Sequence, residues 1–260
     1  MNAIYPLFSS SRGNAIFIGN SESGILVDAG ASYKRLGIAM ERCGLSLSAI
    51  KAVFITHEHS DHVKGLLMLT NKHDISVYGQ GRTLRNLIDS GCIGPRASVS
   101  EINGGITVDD MVVSAFDTPH DTAQSCGYKI LFENGSSCAV CTDLGCVTKV
   151  VDDALLGTGT VLIEANYDEE MILTGSYPPY VKQRIRSDRG HLSNTDSAIQ
   201  VRRLIENGTR NIILGHLSQE NNMPQLAERA VVKRMNGFIR DIDYILKIAE
   251  VETTGNMVVI

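Results

Sequence analysis

The sequence contains no apolar run long enough to cross a membrane. A spanning helix needs about 18 or more consecutive, mainly apolar residues, and no stretch of the 260-residue chain approaches that length. The first residues, MNAIYP, also lack the basic region and the apolar segment of a secretory signal. We therefore expect a cytoplasmic protein that does not act on or in a membrane.

The chain also lacks a low-complexity segment or a linker that would divide it. Hydrophobic residues make up 43% of the sequence, which is enough for a large core in a chain of this length. We therefore expect residues 1–260 to form a single domain.

Cysteine is scarce, with six residues scattered along the chain. Such scattering is typical of reduced thiols in a cytosolic protein. Cys138 and Cys141 form a C-x-x-C pair, but an offset of three on one strand directs the two side chains to opposite faces. We expect no redox or metal-binding role for this pair.

The most informative motif is THEHSDH, residues 56–62, directly after the apolar segment KAVFI. A strand that ends in a turn can direct several imidazoles toward one point, as nitrogen ligands of a metal require. We expect His57 and His59 to share one ion, and Asp61 and His62 to face a second ion about 3.5–4 Å away. A solvated histidine-rich loop is the alternative, but this spacing of four ligand-type residues disfavours it.

Further candidate ligands follow other apolar segments. His120 comes after residues 111–116, Asp143 after residues 138–142, and His216 after residues 210–215. A buried, hydrogen-bonded histidine is the alternative for His120 and His216. Their recurrence at strand ends favours ligation instead, with Asp143 bridging two cations. The predicted ligand set is therefore His57, His59, Asp61, His62, His120, Asp143 and His216.

Alternating strand and helix patterns predict two mixed β-sheets flanked by helices. Strands are predicted at residues 15–18, 25–27, 53–55, 75–78, 112–116, 128–132, 140–141, 161–163, 212–214 and 244–248. Helical spacing occupies residues 32–43, 63–72, 83–90, 147–156, 194–207 and 225–236. The ligands thus belong to loops at strand ends of an α/β body.

The order of these motifs resembles the metallo-β-lactamase superfamily, whose fold is an αββα sandwich. The resemblance covers the whole chain and includes VDAG at residues 27–30, whose Asp28 is normally structural in that family. It is closer to the YycJ (WalJ)-like branch of bacterial nuclease-like hydrolases. The segments that carry this closer match are RGN at 12–14, EANYD at 164–168, GHLSN at 190–194 and GHLSQENN at 215–222.

The resemblance implies a DNA exonuclease and places Asn14, His191 and Ser193 at the rim of the active site. His191 is then the candidate general acid, with a cap or outer-shell histidine as the alternative, and Asn14 and Ser193 are candidate substrate-binding residues. Ser10 stands where the first loop of this branch is expected to carry a glycine, which weakens the comparison with a phosphate cradle.

The donor set predicts hydrolysis with two divalent ions, zinc or manganese, with iron also accepted by these ligands. A hydroxide bridging the ions would be the nucleophile, and Asp61 would orient it. His191 would protonate the leaving oxygen, a step worth about 10²–10⁴-fold.

Charge distinguishes the possible substrates. A net charge of −5 argues against nonspecific coating of nucleic acid. Four basic residues nevertheless precede His191, and we name them the basic cluster: Lys182, Arg184, Arg186 and Arg189. Arg184 and Arg186 are predicted to contact a phosphodiester backbone, although a solvated helix face is the alternative. The second functional hypothesis is a small-molecule metallohydrolase acting on a phosphodiester or thioester, and the third is a noncatalytic module, which should have lost ligands. The pattern indicates nothing about oligomeric state.

Overall fold

Two seven-stranded sheets lie face to face in the computed structural model, which describes residues 1–260. The first sheet has the order β14-β1-β2-β3-β4-β5-β6, and the second has the order β13-β12-β11-β10-β9-β8-β7. The first sheet comprises β1 (Ala3–Ser10), β2 (Gly13–Gly19), β3 (Gly24–Val27), β4 (Ile50–Ile55), β5 (Ser76–Gly79), β6 (Ser98–Glu101) and β14 (Val258–Val259). The second comprises β7 (Gly105–Val108), β8 (Met111–Asp117), β9 (Cys126–Phe132), β10 (Ser137–Cys141), β11 (Thr160–Glu164), β12 (Asn211–Gly215) and β13 (Ile245–Ile248).

Nine α-helices connect and cover the strands. They are α1 (Tyr33–Arg42), α2 (Ser60–Val63), α3 (Leu66–Lys72), α4 (Gly81–Asp89), α5 (Lys149–Leu155), α6 (Glu169–Thr174), α7 (Pro179–Ile185), α8 (Asn194–Glu206) and α9 (Pro224–Arg234). None of them combines the length and the apolar character that crossing a membrane requires.

Three hydrophobic clusters correspond to the three interfaces of the layers. The cluster between the sheets contains residues from both, such as Phe54 of the first and Tyr128 and Ile213 of the second. The other two clusters lie between each sheet and its own helices. This is the predicted αββα sandwich, and the prediction of fold class is confirmed. Cys138 belongs to the inter-sheet cluster and Cys141 to the helix side, as their offset predicts.

Strand direction places the functional loops at one edge. In the second sheet β10, β11, β12 and β13 are parallel, so their carboxyl ends lie together. In the first sheet β3 and β4 are also parallel. The two sheets are bonded at this end, because the Tyr128 hydroxyl donates to the carbonyl of Ile55 at 2.6 Å.

Several elements differ from the sequence-based expectation. The helix predicted at 63–72 is divided into α2 and α3 around Gly65, where a Cβ atom would lie 2.2 Å from the carbonyl oxygen of Ala31. Strand β1 differs from the sequence-based expectation, because Pro6 disfavours a strand. In the structure Pro6 lies within β1, next to a shift in the pairing register with β2 between Pro6 and Phe8. The short elements β6, β7, β14, α6 and α7 were not predicted either.

Candidate metal centre

The loop after β4 is held by Asp28, which follows β3. The Asp28 carboxylate accepts hydrogen bonds from the Thr56 amide and the Thr56 hydroxyl, both at 2.8 Å, and from Nδ1 of His62 at 2.7 Å. Asp28 adopts a left-handed backbone conformation with φ 61°, which is uncommon outside glycine. The contacts agree with the scaffold role expected of Asp28, because the carboxylate fixes the ring of His62 without pointing into the cluster itself.

Glu58, between two of the predicted ligands, faces away from them. Its carboxylate accepts hydrogen bonds from the Ala123 amide at 3.0 Å, and from the Thr83 hydroxyl and the Asn86 amide group, each at 3.2 Å. The intervening residue of the H-x-H motif therefore fastens the loop after β8 and helix α4 to the ligand loop.

The second sheet contributes its side chains one at a time from the ends of alternate strands. His120 follows β8, Asp143 follows β10 and His216 follows β12. Asp143 and His216 have φ angles of 57° and 54°. Non-glycine residues in this left-handed region are uncommon and cluster at functional sites. Both strained residues are among the predicted ligands.

The seven predicted ligands converge. We call His57, His59 and His120 the first ligand set, and Asp61, His62 and His216 the second ligand set; in each, the candidate ligand atoms lie within 4.8 Å of one another. Asp143 lies between them, with Oδ2 3.2 Å from Nε2 of His62 and Oδ1 3.6 Å from Nε2 of His120.

The residues fit a divalent metal ion. Four buried polar atoms in this cluster have no hydrogen-bond partner: Nε2 of His57, Nε2 of His120, Nε2 of His216 and Oδ2 of Asp143. Each unpaired buried group costs about 1–3 kcal/mol, so their convergence calls for a common partner. The opposite ring nitrogens are used to orient the rings, with Nδ1 of His120 donating to the Gly190 carbonyl at 3.0 Å and Nδ1 of His216 to Glu164 at 2.7 Å. Such outer contacts are typical of metal-binding histidines.

Electrostatics differ between the two ligand sets. Burial lowers the pKa of His57 and of His120, which keeps both rings in the neutral form that binds metals. Burial alone would also lower the pKa of His216, but Asp143 and Glu164 outweigh it and raise the pKa to about 9. Binding of an ion by His216 would therefore release a proton at neutral pH.

Glu164 is the main functional residue that the sequence reasoning did not single out. Its fully buried carboxylate accepts four hydrogen bonds, two from backbone amides and two from histidines: the donors are Leu144 N (2.8 Å), Leu192 N (3.1 Å), His191 Nδ1 (2.9 Å) and His216 Nδ1 (2.7 Å). A signal was present, since a carboxylate that ends the apolar strand TVLIE needs several partners when buried.

His191 belongs to neither ligand set, but it forms with Asp143, Glu164 and His216 a further group whose candidate ligand atoms lie within 4.8 Å of one another. Its side chain is 18% exposed, whereas those of His62 and His120 are almost fully buried. Glu164 holds Nδ1, so Nε2 is the nitrogen left for another partner. Burial alone would lower the pKa of His191, but Glu164 outweighs it and raises the pKa above the ordinary value.

The predicted substrate-binding residues occupy different surroundings. Asn14 is buried against the second ligand set, with its amide nitrogen 3.0 Å from Nε2 of His62. Ser193 is the N-cap of α8, and its hydroxyl accepts from the Asp196 amide and donates to the Asp196 carboxylate. A contact of either residue with substrate stays a prediction.

The basic cluster is partly committed to contacts within the protein. Arg184 is paired with Asp121, and Arg189 donates to the carbonyl of His120 at 2.8 Å. Lys182 donates to the carbonyl of Leu173 at 2.7 Å, while the Arg186 side chain makes no hydrogen bond. The first two contacts connect the segment around α7 to the loop that carries His120.

Comparison with known proteins agrees with this geometry. Residues 24–217 match the model of the β-lactamase superfamily domain, a range that includes all seven predicted ligands. The chain belongs to this superfamily. Within the family it is 35% identical to exodeoxyribonuclease YycJ of Bacillus anthracis over 228 residues, which cover 86% of each chain. It is 34% identical to exodeoxyribonuclease WalJ of Streptococcus pneumoniae over 88% of this chain and 86% of the relative.

A solved structure supports the family fold. The metallo-β-lactamase fold protein YhfI of Bacillus subtilis superposes with a TM-score of 0.74 over 97% of both chains, at 11% identity. At that identity the likeness concerns the fold alone. The resemblance to the YycJ (WalJ)-like branch is confirmed by the two sequence relatives.

Proposed function

We propose that this protein is a metal-dependent phosphodiesterase that acts as a DNA exonuclease with two divalent ions. The observation that carries the proposal is the group of four buried, unpartnered ligand atoms where the strand ends of both sheets meet. The two relatives named exodeoxyribonucleases support the choice of substrate. The first ligand set would hold one ion, the second ligand set the other, and Asp143 would be shared.

Two ions held here would supply Lewis-acid polarisation of a phosphoryl oxygen and lower the pKa of a water from about 15.7 toward 7. The donors are imidazole nitrogens and carboxylate oxygens, which zinc, manganese and iron all accept. The identity of the native ion is therefore a matter for elemental analysis.

The protein's own groups divide the remaining work. Asp61 is the one carboxylate of the second ligand set and is more exposed than Asp143, and in our proposal it orients the attacking water. His191 is the general acid, because Glu164 fixes its Nδ1 and leaves Nε2 to donate a proton to the leaving oxygen. A ligand role is the alternative, because His191 shares with Asp143, Glu164 and His216 a group whose candidate ligand atoms lie within 4.8 Å of one another.

The substrate's backbone is proposed to lie along the basic cluster. Arg186 is the cluster's unpaired side chain, and Arg184 remains largely exposed beside Asp121. Phosphate contacts of this kind position a strand without reading its sequence. The polar groups of Ser193 and Asn14 already have partners within the protein, so a substrate contact of either residue would have to replace one of them.

The first test counts the ions. Elemental analysis of the purified protein is expected to give close to two ions per chain. Asp143→Ala should lower the occupancy of both, because its carboxylate lies between the two ligand sets. Asp153→Ala, which removes an exposed carboxylate paired with Lys149, is the control. A single tightly held ion that Asp143→Ala leaves in place contradicts the two-ion centre.

The second test distinguishes a nuclease from a small-molecule hydrolase. Labelled single- and double-stranded DNA, RNA and bis(p-nitrophenyl) phosphate are the substrates. Joint replacement of Arg184 and Arg186 by alanine should raise KM for DNA and reduce its salt dependence, since backbone contacts release counterions. Turnover of the small phosphodiester should change little. Equal losses on both substrates would contradict a backbone-binding role, and cleavage of the small substrate alone would favour the small-molecule hydrolase.

A further inference from the structure

Asn14 lies against the second ligand set. This residue of β2 is 2% exposed, and its amide nitrogen is 3.0 Å from the carbonyl oxygen of Ser10, 3.3 Å from Oδ2 of Asp61 and 3.0 Å from Nε2 of His62. The Ser10 carbonyl can only accept a hydrogen bond, so the NH₂ group must face these atoms. One N–H serves Ser10, and the other is shared by the two candidate ligands.

The backbone holds Asn14 in this position. The Gly30 amide donates to the Asn14 carbonyl at 2.8 Å. A Cβ atom on Gly30 would lie 1.7 Å from the carbonyl oxygen of Asp61 and 2.5 Å from the Asn14 amide nitrogen. Three chain segments therefore meet at a spacing that only glycine permits. This packing holds the backbone of Asn14 close to that of Asp61, and the side-chain amide of Asn14 lies 3.3 Å from Oδ2 of Asp61.

The two ligand sets differ in their contact with Asn14. Nε2 is without a hydrogen-bond partner in His57 and His120 of the first ligand set and in His216 of the second. The amide of Asn14 contacts Asp61 and His62, which belong to the second ligand set, and no member of the first. A change at Asn14 should therefore act on one ion and leave the other as an internal reference.

We propose that Asn14 is a positioning residue of the second ligand set rather than a contact for substrate, an inference that rests on the two-ion centre proposed above. An ion would take the lone pair of His62 Nε2, so the shared N–H is then left for Oδ2 of Asp61. A hydrogen bond to that oxygen fixes the rotation of the carboxylate. Outer contacts of this kind typically contribute 10–100-fold to metal affinity.

Calorimetric titration of the metal-free protein with Zn²⁺ tests the inference. Asn14→Ala is expected to weaken the second binding step about 10–100-fold and leave the first unchanged. Asn14→Leu keeps the approximate volume without the N–H group and should show the same loss. It serves as the test variant if Asn14→Ala is poorly folded. Asn222→Leu is the matched control, because Asn222 is a buried amide whose bonds go to Ala165, Asn166 and Asn194 and not to a ligand side chain.

The outcomes are distinguishable. Unchanged binding steps in both Asn14 variants, with a raised KM for an oligonucleotide, would overturn the inference and return Asn14 to substrate binding. Equal weakening of both steps would also overturn it and show a general structural role. A single binding step in the wild-type protein would remove the two-ion centre itself, whereas two steps without an effect of the variants would remove only the role of Asn14.

Discussion

Asp28 in the first half of the chain and Glu164 in the second half perform comparable tasks with different partners. Each is a buried carboxylate that holds Nδ1 of a candidate ligand, His62 for Asp28 and His216 for Glu164, both at 2.7 Å. Glu164 also holds His191, the proposed acid. Burial raises the pKa of Asp28, whereas His191 and His216 outweigh the burial of Glu164 and lower its pKa to about 2.

The difference shows how ion binding and proton donation can be separated. Asp28 bonds the ring of His62 directly and reaches Nδ1 of His57 through the Thr56 hydroxyl at 3.0 Å, but it has no contact with His191, so it should act on ion binding alone. Glu164 accepts from a ligand and from the proposed acid through the same oxygen, Oε1, so a change there should alter both functions. Replacement of the acid and of each carboxylate distinguishes these effects.

The largest effect is expected for His191→Ala. Its kcat on DNA should fall about 10²–10⁴-fold while both ions remain bound, because the ring supplies a proton and not a ligand. The fall should be smaller for p-nitrophenyl esters, whose leaving group needs no proton. Kinetics on both substrates, with metal content, measure this. Equal falls on both would indicate positioning of the phosphate, and loss of metal would make His191 a ligand.

Glu164→Gln should combine two smaller effects. Glutamine keeps the shape of glutamate, but its NH₂ group is a donor and must face either the two backbone amides or the two imidazole N–H groups. All four of these groups are donors, so two hydrogen bonds are lost in either orientation. We expect affinity for the second ion to fall about 10–100-fold and turnover at saturating metal to fall as well. Titration calorimetry and kinetics at saturating metal separate the two. Full recovery of turnover by added metal would show that Glu164 does not act through His191.

Asp28→Asn should produce the smallest and most selective change. The asparagine can still accept from Thr56, but His62 loses a charged acceptor and can present the wrong tautomer to an ion. We expect about 10–100-fold weaker binding of the second ion, with turnover restored at high metal concentration. Metal-dependent activity curves check this. A kcat that stays low at saturating metal would show that Asp28, like Glu164, affects more than ion binding.

Contiguous residues could be predicted from the sequence better than dispersed ones. The residues of THEHSDH are neighbours in the chain, and the turn after β4 brings them together by itself. His120, Asp143 and His216 could be predicted because each follows an apolar strand. Glu164 was harder, since its importance depends on donors from three other segments that meet only in the folded protein.

The same reason explains the remaining differences in the fold. Strand β1 is buried along its length, but Pro6 conceals it from a propensity argument. Helix α7 has no buried residue and is held by pairs such as Arg184–Asp121, which the periodicity of hydrophobic residues does not report. The contacts of Arg184 with Asp121 and of Arg189 with the His120 carbonyl could not be predicted from the charge of the two arginines alone.

The division of the ligands between the two sheets has a mechanical consequence. The first sheet supplies His57, His59, Asp61 and His62, and the second supplies His120, Asp143 and His216, so ions bound between them would cross-link the sheets at one edge of the sandwich. Because this cross-link would exist only when the ions are bound, metal binding would contribute to the free energy of unfolding. Ions at 100 times their dissociation constant would add about 2.7 kcal/mol each to the free energy of unfolding. Chelation would then loosen the contact between the layers first at the edge where catalysis takes place.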